Sequence, residues 1–194
     1  MNGPPRGVLL ALSLAASLAA CEQGGGFLRG SYLEVPDCDG PFAPRRFEPF
    51  ELDLEHMGVT VEGDAAIVHL SPSAKEIDEA DQVAISFEGV RALETLIESG
   101  EEVTLSLSAD GSGEANLSFV LLGRCGRATT PIAASGRVTF SRFGHFTGES
   151  ITGTMTFDAY DRRTGQLLGE SFEGDFDFRA GKYSPFIFYA KPEF

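Results

Sequence analysis

Residues 151–160 read ITGTMTFDAY and residues 167–178 read LLGESFEGDFDF, with DRRTGQ between them. In the first run Ile151, Gly153, Met155, Phe157 and Ala159 alternate with Thr152, Thr154, Thr156 and Asp158. Successive side chains of a strand leave on opposite faces, so the first set predicts a buried row and the second a solvated one. The second run places Leu168, Glu170, Phe172, Gly174, Phe176 and Phe178 on one face, and Glu173, Asp175 and Asp177 on the other. Glu170 alone interrupts the inner row. Two period-2 runs joined by a short polar turn make a hairpin. Glycines set among phenylalanines predict room for rings or curvature, whereas a phosphate cradle needs glycines clustered before a helix.

The pattern extends outward from this hairpin. Val138–Phe140 begins a preceding strand. Val103–Ala109 and Ala115–Leu121 alternate on either side of Asp110-Gly111-Ser112-Gly113, which predicts a second hairpin. Asp110, Ser112 and Glu114 there match turn chemistry better than a calcium loop, which needs a later bidentate Glu. Phe50, Leu52 and Leu54 alternate with acidic residues, and 65–70 and 82–87 read as further strands. Ser71–Glu76 carries capping signals for a turn or two of helix. Val90, Leu93, Leu96 and Ile97 fall on one helical face that Gly100 ends, leaving Glu94 and Glu98 on solvent. Residues 27–46 read as an extended lead-in, and 183–194 as a buried last strand. The fold expected is mainly β: an antiparallel β-sandwich, or alternatively a curled β-barrel, with one short amphipathic helix.

Composition agrees: 16 Phe, 23 Gly and no Trp in 194 residues suit short strands and tight turns. The net charge of -14 has no basic patch to offset it, which argues against nucleic acid as a partner.

The N-terminus carries a different signal. Arg6 precedes an apolar run from Val8 to Ala20, too short for a permanent bilayer span and of secretory length. It ends Leu18-Ala19-Ala20-Cys21, and this stretch resembles the signal and lipobox of bacterial lipoproteins. The resemblance implies a recognised Leu18, cleavage after Ala19 and Ala20, and acylation of Cys21 with palmitate-type chains. Glu22 stands where an inner-membrane retention signal would place Asp, so the resemblance implies the outer membrane. Three domains of sequence follow: a signal peptide at 1–20, a lipidated Cys21 with a flexible tether at 21–26, and one β-rich domain at 27–194.

With Cys21 lipidated, Cys38 and Cys125 remain, and an exported chain favours a disulfide between them. Two free thiols, or a metal site of Asp37, Cys38, Asp39 and a histidine, are the rivals. His69 reads as a boundary residue of an apolar strand. There is no G-x-S-x-G, HExxH, C-x-x-C or Walker motif, so no catalytic residue, cofactor or metal is assigned. The expectation is a lipid-anchored, non-enzymatic binding or structural module, meeting the membrane through Cys21 and an envelope protein or glycan elsewhere. Tyr32, Phe42, Phe47 and the C-terminal aromatics are its visible contact candidates. The alternatives are a carrier of an apolar ligand in a barrel cavity and, less favoured, an envelope hydrolase.

Overall fold

The computed structural model describes residues 24–38, 45–72, 81–125, 130–146 and 148–179. Cys21, Leu18, Ala19 and Ala20, the turn predicted at 71–76 beyond Pro72, and the strand predicted at 183–194 lie outside the described residues. Twelve strands form one sheet: β1 (Gly24–Gly30), β2 (Tyr32–Glu34), β3 (Arg46–Phe47), β4 (Phe50–Leu54), β5 (His56–Glu62), β6 (Ala65–Ser71), β7 (Asp81–Glu88), β8 (Val103–Leu107), β9 (Ala115–Leu121), β10 (Ile132–Arg142), β11 (Ser150–Asp161) and β12 (Leu167–Arg179). One helix, α1 (Val90–Glu98), joins β7 to β8, and a single helical turn, α2 (Leu122–Cys125), follows β9.

The sheet curls through 223° into an open half-barrel, which corrects the favoured sandwich in the direction of its alternative. A sandwich needs the hydrogen bonding to break into two sheets. Here the long strands carry it round the bend. β10 meets β11 on one edge and both β8 and β9 on the other. β12 meets β11 on one edge and both β1 and β2 on the other. β4 and β5 are separated only by Glu55, whose N–H donates to the Ser71 carbonyl at 3.0 Å. Because β4 pairs with β1 while β5 pairs with β6, this one run of chain touches both flanks of the curl.

The β11–β12 hairpin forms as expected, and its register places Ile151 opposite Phe178, Gly153 opposite Phe176 and Phe157 opposite Phe172. The inner rows are buried and the threonine and carboxylate rows face out. Glu170 is exposed because the register shifts beside it. Ser171 takes a positive φ of 57° and its N–H donates to Asp158 Oδ1 at 2.8 Å, a bulge that turns the interrupting carboxylate to solvent. The rings of Phe50, Phe119, Phe157 and Phe172 form one aromatic group, and those of Phe87, Phe140, Phe143 and Phe176 another. Gly153 makes room for the second group: a Cβ there would stand 2.6 Å from Phe176 Cζ.

Two other expectations are corrected. Gly24–Gly26, read as the end of a tether, belong to β1, and the lead-in they open is internal, with Leu28, Leu33 and Val35 fully buried. β1 lies between β12 and β4, and a Cβ on Gly26 would overlap the Asp175 carbonyl. Glycine is required by close approach of backbones, not by flexibility. The Asp110-Gly111 hairpin is also absent: β8 and β9 run parallel, meeting at Leu107 and Ala115. Asp110 Oδ1 accepts from Ser108 Oγ at 2.6 Å and from Ser112 N–H at 2.9 Å, and Glu114 Oε2 accepts from Ser106 N–H at 2.9 Å. These bonds shape a longer loop whose two flanking strands both pair with β10, and the Ser108 and Ser112 donors hold the Asp110 carboxyl down at about 2.

One end of the half-barrel is stapled. Cys38 and Cys125 are bonded, S–S 2.16 Å and Cα–Cα 4.7 Å, as the residual pair predicted, which removes the thiolate the rival metal site needed. Beside this bridge Asp81, at the start of β7, is buried; its Oδ2 lies 2.9 Å from Arg124 Nε and its Oδ1 accepts the Arg124 N–H at 3.0 Å. Burial pushes the Asp81 carboxyl up, against those Arg124 contacts. The same guanidinium donates to the Glu51 carbonyl and lies 5.1 Å from the Phe50 ring, so α2, β4 and β7 are tied at one point.

Candidate ligand site at the helix-capped end

The opposite end is built from the outgoing end of β7, α1, and the connection from β10 to β11. α1 begins at Gly89, whose φ of 84° lets the chain leave β7 sharply. No side chain of its own caps it; the Asp64 carbonyl, in the β5–β6 turn, accepts from Gly89 N–H at 2.8 Å and Val90 N–H at 3.1 Å. Asp64 Oδ1 also takes the Arg91 N–H, and that bond holds the Asp64 carboxyl below its usual range. Val90 and Leu93 are buried against the core, Ile97 is half-buried, and Leu96 is 41% exposed.

Phe143 faces α1 across a cleft. Its ring closes the interior, lying 5.4 Å from Phe87 and 5.7 Å from Phe140 by centroid. His145 Nδ1 donates to Glu94 Oε1 at 2.8 Å, pinning the loop to the helix. Its ring stacks on Phe146 at 4.2 Å, and Phe146 is 65% exposed. Glu149 Oε2 accepts the Phe146 N–H at 2.9 Å, which holds that aromatic outward. The cleft has a volume of about 390 Å³, lined by Glu94, Glu98, Arg142, Phe143, Phe146 and Glu149 among others. That size falls within the range of small-molecule sites. Three carboxylates against one guanidinium surround an apolar floor, an arrangement suited to an apolar body bearing a polar or cationic head.

Glu94 is therefore not the purely solvated residue its spacing suggested: its partner is supplied by a loop 51 residues away. His69 is likewise no boundary residue; it is buried in β6, and burial drives its imidazole down to about 4, against a hydrogen bond with Gln82. His56 stands opposite Ser71 at the β4–β5 seam. The three histidines thus occupy β5, β6 and the β10–β11 loop. Among the described residues no group of three His, Cys, Asp or Glu is placed to hold a metal ion.

A second concavity of about 460 Å³ lies on the outer wall, where Thr139, Thr152, Thr154, Asp175, Asp177 and Glu102 line it. Thr152 Oγ1 donates to Asp177 Oδ1 at 2.8 Å, and the Thr104 and Thr139 hydroxyls are 2.8 Å apart. Tyr32 and Phe47 do not form an exposed cluster: Arg46 lies 4.0 Å over the Tyr32 ring, and Phe47 packs edge-on to Phe50. Phe42 lies outside the described residues. Phe146 is the exposed aromatic that sequence reasoning missed; nothing in the run FGHFTG distinguishes it from the buried Phe143 three residues earlier. The chain matches no known family, and no characterised protein or solved structure matches it either.

Proposed function

We propose that this chain is a lipid-anchored envelope protein, attached through Cys21 at the outer membrane, whose curled β-domain carries an apolar ligand. The observation that supports the reading is the cleft at the capped end. It leads from polar side chains to Phe143 and, behind that ring, to the enclosed Phe87–Phe140–Phe176 group. A ligand sits in the cleft with its apolar body on Phe143 and reaches the interior when that ring swings aside. The acidic balance of the rim favours an amphiphile with a cationic head over one with a carboxylate.

The test is a titration of the full acylated protein with the neutral dye N-phenyl-1-naphthylamine, followed by competition. Saturable binding is expected, displaced by dodecylamine at concentrations about tenfold lower than by dodecanoate. Absence of saturable binding sinks the carrier reading. The outer-wall groove supports a second reading, a non-enzymatic module for an envelope protein or glycan. Its hydroxyl and carboxylate lining offers hydrogen bonds to sugar hydroxyls or to a basic peptide. Substituting Thr154 and Asp175 on that groove would reduce recovery of such a partner by crosslinking and leave dye binding unchanged.

A further inference from the structure

We propose that the capped end of the half-barrel rests directly on a zwitterionic lipid surface, with Phe146 and Leu96 in the boundary between headgroups and acyl chains. The inference rests on the lipid-anchor reading and adds an orientation to it.

The argument is one of reach. β1 starts at Gly24, which is in register with Phe178, and Phe178 is in register with Ile151. Ile151 follows Ser150, where the connection carrying Phe146 enters β11. Gly24 therefore leaves the sheet at the capped end and not at the stapled one. Cys21 lies only three residues upstream, a span of about 11 Å at full extension. A headgroup layer is itself about 6 Å thick on each side of a bilayer. Half of the expected six-residue tether is thus taken up by β1, and an acylated Cys21 holds this end close to the lipid whatever path residues 22 and 23 take.

What this end presents fits that position. Of the large apolar side chains exposed among the described residues, Phe146 at 65% and Leu96 at 41% both stand here, while Ile67 stands on β6. An aromatic held outward by its own backbone bond to Glu149 is the kind of side chain that enters a bilayer boundary. Glu94, Glu98 and Glu149 outnumber Arg142 around it, so the complementary surface is zwitterionic and not anionic. A mouth facing the bilayer also gives an apolar ligand a route that avoids water.

The chain contains no Trp, so a single introduced indole reports its own position. The experiment places the full acylated protein in phosphatidylcholine vesicles, with and without acyl-brominated phosphatidylcholine. Phe146→Trp is expected to show blue-shifted emission and about twofold quenching by the brominated lipid, because such groups lie several ångströms inside the boundary. Ile67→Trp is expected to be quenched little. If both indoles are quenched equally little while the acylated mass and flotation with vesicles are intact, the orientation is wrong and the anchor stands. If the acylated mass is missing, the anchor reading fails and the orientation with it.

Discussion

The two ends of this half-barrel are held in different ways. At one, a disulfide between Cys38 and Cys125, the buried Asp81–Arg124 pair and a guanidinium over Phe50 converge within a few residues. At the other, a nine-residue helix is held by Val90 and Leu93, by an external carbonyl cap and by one His145–Glu94 hydrogen bond, with Phe146 left uncovered by the protein. Regions that open for function come from the less stable part of a fold. The difference teaches where to look for motion: cross-links secure the closed end, and the end with the cleft is left to weak contacts.

Three measurements can break or sharpen that contrast. The largest effect is expected from opening the disulfide, which closes a loop with a sequence separation of 87. By loop-closure entropy it contributes about 4.5 kcal/mol, a large share of a typical domain's stability. Denaturant unfolding of a Cys38→Ala/Cys125→Ala variant against the oxidised protein checks it. A loss below about 1 kcal/mol would mean that the staple is not what secures that end.

Next comes acid. His69, near the stapled side of β6, is neutral when folded and has an ordinary imidazole pKa when unfolded. The unfolded chain thus binds the extra proton first. Stability is full above the unfolded value of 6.5 and falls as pH drops toward the folded value of about 4. The loss reaches about 3 kcal/mol near pH 4. Chemical denaturation at stepped pH should show this slope, and His69→Gln should flatten it between those two values.

The smallest effect belongs to the capped end. Glu94→Gln weakens a half-buried bond and should cost about 1 kcal/mol or less globally. Its signature is local: hydrogen exchange should speed up in α1 while β10, β11 and β12 stay protected. Equal acceleration in the sheet would show that cap and sheet open as one unit, and the contrast between the ends would fail.

What the sequence disclosed follows from what each region's side chains encode. The β11–β12 hairpin was legible because every second residue declares a face, and the disulfide because two cysteines remained once Cys21 was assigned to lipid. β1 was not, because Gly24–Gly26 have no side chains to alternate; their role is written only in the nearness of β12. The loop at 108–114 misled because Asp-Gly signals a turn without saying which strand comes next, and β10 offered both flanking strands a better partner than each other. The curl was half visible in the glycines facing Phe rings, but the choice between one bent sheet and two packed ones depends on β10 and β12 each serving two partners along a single edge. The candidate site was the least legible. His145 and Glu94 are distant in sequence, and periodicity assigned Glu94 to solvent.

The double pairing of β1 also sets a timetable. As the chain is made, Gly24–Gly30 emerges ahead of every other described strand. β4 can occupy one of its edges after only a short further stretch. The other edge waits for residues 173–178, nearly the whole domain later. Until then an apolar ribbon lies open to any passing strand, the condition under which chains mispair or aggregate. Because the earliest described strand is completed by the latest, the yield of folded protein will depend on how soon residues 173–178 follow.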